Sequence, residues 1–548
     1  MFSRFVAILT SLSGKERRVL SISASVFFVS LIVLFLNIYF FGTQVVPQSG
    51  GVFVEGAVGQ PSAINPVLGS SQEIDRDLVE LMFARLSDLS ESIERSEDGR
   101  EWRVLLKEGL FWSDGEPLTI DDVIFTIGLI QNRELASPLL SSWRGVDVVK
   151  TSGNEVLITL ETPYRYFATT LDNLRPIPAH IFSGIPVANI RLSSYNLSPV
   201  SSGPFRFDSM EQKKDGFINT YSMVRNENFS LASPYLKGFE FRFFNRFKDA
   251  VAAFNRGFID GLGGFDPLAV EDIVARHELF EISIPRYYAI FMNGSSQPAL
   301  KELAVRTVLA RYLDKEKLIK DTLDSSATAI DGPIPSYIEG FDEEIYKDSS
   351  LSRSQAKSLL EEAGFELNDE DIYAKEDLTL TFNLIVPDID FLSDSARFIA
   401  QEFSEVGIRI EPIVLSSSVI SSEIIRSRDY DLILFGNVLR GNADVFSFWH
   451  SSQRFYPGLN LSLYEDNEVD SALELSRSTF DDEKFSAALS TIQQKIYDDA
   501  AASFLFSPIY SYAVGSDVKG VEFDTLTNSS DRFAGAEGWY KKQKRVLR

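Results

Sequence analysis

The order of hydrophobic and polar positions in the second half of the chain predicts a repeated strand and helix unit. Residues 378–386 alternate as a strand does, and residues 392–406 follow helical spacing up to the helix stop Gly407. Residues 408–415 form the next predicted strand, 418–426 a second helix and 430–436 a third strand. This βαβαβ order predicts a parallel sheet with right-handed crossovers.

The loop after the third predicted strand is the place where a ligand is expected. Gly436-Asn437 and Gly441-Asn442 end the apolar run, and hydrogen-bonding side chains crowd into the residues that follow. Ligands of open α/β sheets sit at the carboxyl edge of the strands, where this loop lies. The candidate ligand-binding residues of this loop are Asn437, Arg440, Asn442, Asp444, Trp449, His450, Ser451 and Gln453.

The first half of the chain mixes strands and helices without that regular order. Strand patterns cover residues 51–59 and 102–107, and two further strands within residues 146–160 are joined by a turn. Thr119 and Asp122 form the start of a capping box for a helix that reaches Ile130. This part is predicted to be α+β.

A single apolar run near the start of the chain is long enough to cross a membrane. Residues 19–41 are apolar, and no charged residue lies between Arg18 and Glu55. The basic residues before this run keep the amino-terminal side in the cytoplasm and place everything after Gly42 outside. We expect an uncleaved anchor followed by a short tether, with a cleaved signal peptide as the alternative.

Composition removes several classes of function. The 548-residue chain carries a formal net charge of −25, which argues against nucleic acid as a partner. It has no cysteine, and therefore no disulfide, thiolate metal site or cysteine nucleophile. His450, Ser451 and Asp444 include the residue types of a hydrolase triad, but neighbouring positions on one segment rarely form a triad. We expect no catalytic residues, metal ion or cofactor.

Two further patterns are interpreted as structural. His277 falls inside a run with helical spacing, and none of the 3 histidines belongs to an H-E-x-x-H zinc motif. The glycines between Gly257 and Gly264 lack the strand, turn and helix context of a dinucleotide-binding loop.

Several separated blocks resemble the peptide-binding class of extracellular solute-binding proteins, the receptors of ABC importers of oligopeptides, dipeptides or nickel complexes. The resemblance covers most of the chain after the apolar run, and the blocks occur in the family's order. They are GVFVEGAVGQPSAINPVL from Gly51, DGREWRVLLKEGLFWSDGEPLTIDDVIFTI from Asp98, SPVSSGPFRF from Ser198, LAVRTVLARYLDKEKLI from Leu303, YDLILFG from Tyr430, FSFWHSSQ from Phe446 and IQQKIYDDAAASFLFSPIYSY from Ile492.

The resemblance implies an α/β, two-lobed periplasmic-binding-protein-like fold with an extra α+β subdomain in the first lobe, preceded by one transmembrane helix. The expected divisions are residues 1–18 in the cytoplasm, 19–41 in the membrane, 42–50 as the tether, 51–266 as lobe I with an inserted subdomain at about 76–185, 267–503 as lobe II with the parallel sheet, and 504–548 as the return to lobe I.

The same resemblance implies a monomeric receptor that is not an enzyme. It would enclose a peptide or peptide-like ligand between the lobes and deliver it to an ABC permease with its ATPase, from a single-pass position in the cell membrane with the carboxyl-terminal domain outside. An envelope receptor or scaffold without cargo delivery is the second hypothesis, and an extracytoplasmic hydrolase is the third.

The candidate loop departs from the family pattern at two points. Peptide receptors carry an aspartate here that pairs with the α-amino group of the ligand, and the matching position falls near Leu439, beside Arg440. The related Asp-Pro-Asp motif is Asn442-Ala443-Asp444 in this chain. Asp444 is a possible substitute, because a carboxylate and a ligand ammonium form a charge-assisted hydrogen bond.

Most candidate residues also have a purely structural interpretation. Trp449 either stacks on a ligand or packs in a core, and the segment from His450 to Gln453 either bonds a peptide backbone or completes a turn that caps a helix. Arg440 is either a carboxylate clamp or a solvated loop charge. The remaining candidates are Gly203, in a turn near the crossover between the lobes, and Tyr287 and Tyr288, on a predicted hinge strand.

Overall fold

The computed structural model describes residues 13–69, 72–264, 272–347, 350–439, 441–523 and 526–547. Its first helix, Gly14–Gly42, contains the whole predicted membrane span and buries none of its residues against the rest of the protein. Its most apolar window has a mean hydropathy of 2.7, so the helix is long and apolar enough to cross a bilayer. Ser13 caps its start, with its backbone N–H donating to Glu16 at 2.8 Å.

The strands are numbered along the chain. They are β1 (Thr43–Gln48), β2 (Val52–Val58), β3 (Ser90–Arg95), β4 (Glu101–Leu106), β5 (Val146–Ser152), β6 (Glu155–Leu160), β7 (Phe205–Gln212), β8 (Ile218–Arg225), β9 (Gly238–Phe244), β10 (Gly261–Gly264), β11 (His277–Ser283), β12 (Arg286–Met292), β13 (Ala327–Ala329), β14 (Glu366–Leu367), β15 (Tyr373–Lys375), β16 (Leu378–Thr379), β17 (Thr381–Pro387), β18 (Arg409–Leu415), β19 (Leu432–Val438), β20 (Ala502–Gly515) and β21 (Lys542–Leu547).

The helices connect these strands and cover their faces. Those of eight residues or more after the first are Glu73–Met82, Ile120–Gln131, Phe247–Asn255, Leu303–Arg311, Lys315–Leu323, Arg353–Glu362, Asp390–Ser404, Asn467–Ser478 and Asp482–Asp498. Shorter helical segments are Leu86–Leu89, Leu140–Trp143, Phe167–Asp172, Ala179–Phe182, Val187–Ile190, Ser417–Val419, Ile420–Ile424, Ile425–Ser427 and Phe446–Trp449.

Two lobes share one continuous sheet. Its 12 strands include the path β18-β17-β19-β12-β20-β10-β2-β9-β8-β7, and β11 and β13 also pair with β20. β20 belongs to both lobes, because its first half pairs with β12 and its second half pairs with β10 and β11. The lobe that contains β2 and β7 to β11 is lobe I, and the lobe that contains β12 and β17 to β19 is lobe II.

The predicted α+β subdomain is present in lobe I. Its antiparallel sheet has the order β3-β4-β6-β5 and is covered by the helix Ile120–Gln131. The predicted capping box starts this helix, with the Thr119 N–H donating to Asp122 Oδ2 at 2.8 Å. Phe167 is the aromatic centre of this unit, with its ring centroid 5.7 Å from that of Trp102 and 5.5 Å from that of Trp143.

The predicted βαβαβ unit of lobe II is confirmed. β17 pairs in parallel with β18 on one side and with β19 on the other, and the helix Asp390–Ser404 connects the first two strands. Gly407 ends that connection with a φ of 75°, a conformation that glycine adopts without strain. The second predicted helix contains a π-helical turn at Ile420–Ile424.

Lobe II buries apolar side chains on both faces of its mixed sheet, in which β17, β18 and β19 are parallel and β12 is antiparallel to its neighbours β19 and β20. Along β12, Tyr287 belongs to one core and Ile290 to the other, because successive strand residues point to opposite faces. The separate core of lobe I contains the aromatic rings of Phe53, Phe239 and Trp539.

The structure corrects the prediction for His277 and explains the glycines between Gly257 and Gly264. His277 lies in β11 rather than in a helix, because residues 277–283 pair along their whole length with β20. The glycines of β10 make room for aromatic side chains: a Cβ atom on Gly263 would lie 2.2 Å from Tyr510 Oη, and one on Gly261 would lie 2.7 Å from Tyr512 Oη.

Candidate ligand-binding site

The lobes are joined where two adjacent chain segments cross between them. One crossing is Ile284-Pro285, between β11 and β12, and the other is Ser507-Pro508, within β20. The lobe boundaries at 266/267 and 503/504 stay predictions. Tyr337 Oη lies 2.8 Å from Ser507 Oγ and 3.2 Å from the Ile284 carbonyl oxygen, so one phenol bonds both crossings.

The loop after β19 begins on this hinge and reaches the opposite lobe. The Leu439 N–H donates to the Pro285 carbonyl oxygen at 2.7 Å. Gly441 has a φ of 72°, and a Cβ atom there would lie 2.4 Å from Cγ2 of Thr527, which belongs to the segment that returns to lobe I. Only a residue without a side chain allows so close an approach between the lobes. The loop therefore lies at the interlobe junction, as the sheet topology predicts.

Asp444 is held by two residues that sequence reasoning does not single out. Arg477 binds it through two hydrogen bonds, Nε to Oδ1 at 2.8 Å and Nη2 to Oδ2 at 2.9 Å. Tyr164 Oη donates to Oδ2 at 2.7 Å. Because Tyr164 comes from the subdomain of lobe I and Asp444 from lobe II, this trio joins the lobes. We call Tyr164, Asp444 and Arg477 the interlobe clasp.

Neighbouring residues extend the contact around the clasp. Arg165 donates through its backbone N–H to the Arg477 carbonyl oxygen at 2.7 Å, and its guanidinium lies 2.7 Å from Asp482 Oδ1. The same guanidinium stacks on the ring of Phe485 at 3.9 Å. The contact is therefore made by backbone, charge and apolar surface together.

Asp444 already carries a full set of partners in this conformation. Its side chain is only 12% exposed, and the guanidinium of Arg477 compensates its charge. The side chain of Asn442 accepts a hydrogen bond from the Asp444 N–H at 3.0 Å and so shapes the turn beneath it. A direct contact between Asp444 or Asn442 and a ligand stays a prediction.

Three of the predicted residues lie inside the protein core beneath the loop. Asn437 Nδ2 donates to Tyr287 Oη at 3.0 Å, and both side chains are buried. Burial raises the pKa of Tyr287 well above its usual value. Trp449 is also fully buried and packs against Phe291 and Phe504, which agrees with the core alternative.

His450, Ser451 and Gln453 form a turn that supports the helix Asn467–Ser478. The Ser451 N–H donates to Asp470 Oδ1 on that helix at 2.8 Å, and the ring of His450 stacks on Phe446 with centroids 4.1 Å apart. Gln453 Nε2 donates to Ser452 Oγ at 3.0 Å. These contacts favour the turn-and-cap interpretation, and a ligand contact by these residues stays a prediction.

The other candidates lie apart from this loop or outside the described residues. Tyr288 is on the opposite face of β12, where it packs against Phe391 and Phe506 with ring centroids 5.6 and 5.7 Å away. Gly203 brings two backbones together, since its N–H donates to the Met82 carbonyl oxygen at 2.7 Å. Arg440 lies outside the residues that the structure describes.

The junction also holds charged residues that the sequence pattern does not reveal. Arg286 follows the first crossing directly. Burial lowers the pKa of its guanidinium, and the electrostatic effects of Tyr288 and Glu73 raise it in part. Glu73 belongs to the first turn of the helix Glu73–Met82 in lobe I, so Arg286 in lobe II and Glu73 in lobe I are charges of opposite sign. No periodicity connects residues so far apart in the chain.

Behind that helix, lobe I contains a buried ionic cluster. The guanidinium of Arg532 contacts Asp77 at 2.6 Å, Glu55 at 3.2 Å and Glu73 at 3.5 Å. Because Glu55 and Asp77 share this guanidinium away from water, burial raises the pKa of Glu55 to about 7 and that of Asp77 to about 6. Tyr512 Oη donates to Glu55 at 2.8 Å, so the cluster connects this helix, through Asp77, to β2 and β20 of lobe I.

A separate cavity of about 700 Å³ lies within lobe II, and none of the predicted site residues lines it. Its polar lining includes Arg311, Lys315, Asp331 and Gln355. Lys315 is already paired, with its ammonium 2.7 Å from Asp331. Among the described residues, no group of three or more His, Asp or Glu side chains is placed to hold a metal ion.

Comparisons with known proteins agree with this architecture. The sequence profile named "Bacterial extracellular solute-binding proteins, family 5 Middle" matches residues 86–455. The oligopeptide-binding protein AppA of Bacillus subtilis (strain 168) is 25% identical over 498 residues, which cover 87% of this chain and 90% of that protein.

Two solved structures share the fold. The ABC transporter substrate-binding protein CtaP of Listeria monocytogenes superposes with a TM-score of 0.78 at 25% identity, covering 90% of this chain and 100% of that one. The structure of Bacillus subtilis AppA in complex with a nonapeptide gives a TM-score of 0.73 at 24% identity, covering 90% and 99% of the two chains.

Proposed function

The chain belongs to family 5 of the bacterial extracellular solute-binding proteins, and on that premise we propose that it is a membrane-anchored receptor that delivers peptide-like ligands to an ABC importer. Proteins of this family bind substrates for ABC importers and are not enzymes. The anchor, the peptide-like ligand and the delivery step are the proposed part.

The observation that carries this proposal is the pairing of a narrow hinge with a clasp that joins the lobes. The lobes are connected at Ile284-Pro285 and Ser507-Pro508, and the clasp bonds Tyr164 of lobe I to Asp444 of lobe II. A ligand that contacts both lobes stabilises the closed state, and it shifts the population by its difference in affinity for the two states. Closure then signals occupancy to the importer.

The charges at the junction bear on how a peptide is held. The clasp uses the charge of Asp444, so in the closed state this residue supports closure rather than pairing with a free amino terminus. Arg286 follows the first crossing and Glu73 begins the helix Glu73–Met82 of lobe I, so the two lobes carry charges of opposite sign. Opposite charges of this kind suit a zwitterionic or polar ligand, and the nonapeptide bound to the related AppA supports an oligopeptide.

The anchor rests on the helix Gly14–Gly42. It buries nothing against the rest of the protein, as expected of a helix that lies in a bilayer. β1 follows it without an intervening residue and pairs with β21, so the helix is connected to lobe I by an ordered ribbon. Intact-mass measurement of the protein from its own membrane tests this: residues 1–42 retained supports the anchor, and a mature chain that starts near residue 43 overturns it.

The ligand is tested by native mass spectrometry of the full chain, extracted from its own membrane in mild detergent. We expect adducts whose fragmentation identifies peptides, and their loss after partial unfolding and refolding in peptide-free buffer. Re-addition of a defined peptide mixture should restore them. An empty protein that takes up no peptide from a broad library would overturn the proposal.

A further inference from the structure

A strongly basic strand lies directly beside the end of the membrane-spanning helix. β21 belongs to the segment KKQKRVLR, residues 541–548, which carries basic residues and no acidic one in a chain of net charge −25. β1, its antiparallel partner, contains no charged residue at all. The ribbon of β1 and β21 therefore carries only positive charge.

The register places these charges close to the membrane surface. Thr43, the first residue after the helix, pairs with Leu547, and Val45 and Val46 pair with Arg545 and Lys544. At about 3.3 Å per residue, Arg545 and Lys544 lie roughly 7 and 10 Å along the ribbon from the level of Thr43. The headgroup layer on each side of a bilayer is about 5–7 Å thick, and the Debye length is about 8 Å at physiological salt. Both charges thus lie within reach of lipid headgroups.

Arg545 is fixed at this depth by the helix itself. Its guanidinium lies 4.7 Å from the ring centroid of Phe40 and 5.3 Å from that of Tyr39, and it donates to Thr43 Oγ1 at 3.0 Å. Aromatic residues at the end of a transmembrane helix mark the headgroup level. The guanidinium keeps further N–H donors for an anion at that level.

These cations are not neutralised by the protein. Lys542, Lys544 and Arg545 are exposed, and within the described ranges none of them forms an ion pair with a carboxylate. Lys541, by contrast, is bound to Asp260 at 2.8 Å and attaches the ribbon to lobe I. An exposed row of unpaired cations beside a bilayer is suited to phosphate groups.

We propose that β21 binds the phosphates of anionic lipid headgroups in the outer surface of the membrane and thereby fixes the orientation of lobe I over the bilayer. Arg545 and Lys544 make the direct contacts, and Lys542 adds longer-range attraction. This inference rests on the proposed anchor. Its consequence is that the ribbon is a lipid-sensitive support and not a freely pivoting tether.

The test uses the full chain in lipid nanodiscs. The chain has no cysteine, so Gln543→Cys provides a unique spin-label position on the exposed side of β21. The measured quantity is the rate at which a water-soluble nickel chelate collides with the spin label. It is compared between discs of phosphatidylcholine and discs with about one-third phosphatidylglycerol. We expect the collision rate to fall about twofold in the anionic discs and to recover at about 0.5 M salt.

Two double variants show whether the effect depends on the charges of β21 or on the net charge of the protein. Lys544→Gln with Arg545→Gln should abolish the difference between the lipids, whereas Lys213→Gln with Lys214→Gln, on the exposed turn between β7 and β8, should preserve it. Equal collision rates in both lipids, or an unchanged difference in the first variant, would overturn the proposal. So would equal protection by inorganic phosphate in neutral discs, which would identify a free anion as the ligand.

Failure of this inference is distinguishable from failure of the proposed function. Intact mass of the disc-bound protein shows whether the helix is retained, and peptide binding by calorimetry reports on the cleft. The ribbon variant is expected to bind peptide with wild-type affinity. A retained helix with normal peptide binding and no lipid dependence would refute the lipid contact alone.

Discussion

Removing one hydroxyl from the interlobe clasp should weaken closure without weakening the fold. Tyr164→Phe deletes the hydrogen bond from Tyr164 Oη to Asp444 Oδ2, which is 2.7 Å long and joins the lobes. The aromatic ring and the pairing of Asp444 with Arg477 remain. The change therefore acts on a contact that exists only when the lobes are together.

The size of the effect follows from the chemistry of the bond. A hydrogen bond to a charged acceptor contributes about 1.5–3 kcal/mol, and the lower value applies because Tyr164 is only half-buried. A loss of about 1.5 kcal/mol lowers the ratio of closed to open molecules about tenfold. The free energy of unfolding should change by much less, because the open folded state satisfies both groups with water.

Single-molecule energy transfer measures this ratio directly. Because the chain contains no cysteine, dyes at Leu192→Cys in lobe I and Glu362→Cys in lobe II label exposed positions alone. Tyr195→Phe is the matched control, since it removes a hydroxyl from lobe I, where Tyr195 packs against Phe182. A closed-to-open ratio in Tyr164→Phe within twofold of the wild-type ratio would refute the role of the clasp. A twofold change corresponds to about 0.4 kcal/mol, which is less than a hydrogen bond to a charged group contributes.

Three further predictions concern the core, the packing and the buried charges. Trp449→Phe should lower the free energy of unfolding by about 1–2 kcal/mol in urea titrations and leave peptide affinity unchanged, whereas a specific loss of affinity would favour ligand stacking. Gly261→Ala places a Cβ atom 2.2 Å from Glu55 Oε2 and should cost about 1–3 kcal/mol, while Gly153→Ala, which meets no atom within 4 Å, should cost almost nothing in the same titration. Burial raises the pKa of Glu55 to about 7 from 4.5, so the folded state holds that proton more tightly and the free energy of unfolding falls as pH rises through this window. In Glu55→Gln, the decrease in the free energy of unfolding between pH 4.5 and 7.5 should be smaller by up to about 3 kcal/mol. If the variant and the wild type show the same dependence of this free energy on pH, Glu55 is ionised throughout the range.

The parallel strands β17, β18 and β19 of lobe II could be predicted because their signals are local. Alternation in β17 and the helical spacing that ends at Gly407 each lie within about 15 residues of chain, and the repeated strand and helix order then predicts parallel strands with right-handed crossovers. His277 shows the limit of such signals. Its helical spacing is overridden by pairing with β20, whose residues lie more than 200 positions away.

The clasp could not be predicted for a related reason. Tyr164, Asp444 and Arg477 are brought together by the closure of two lobes, and no spacing in the sequence connects them. The sequence shows that Asp444 is a carboxylate in the candidate loop, but it does not show which cation pairs with it. A ligand ammonium and a protein guanidinium are both compatible with its charge. Trp449 illustrates the same limit, because a loop context does not separate a core aromatic from a cleft aromatic.

The central claim is that a peptide-like ligand closes the lobes, and the double-labelled chain tests it most directly. Titration with the peptides recovered from the native protein should convert an open, low-transfer population into a closed, high-transfer one with a single saturation curve. The midpoint should shift to higher peptide concentration in Tyr164→Phe and stay unchanged in Tyr195→Phe. Peptide binding that saturates without any change in energy transfer would contradict the account.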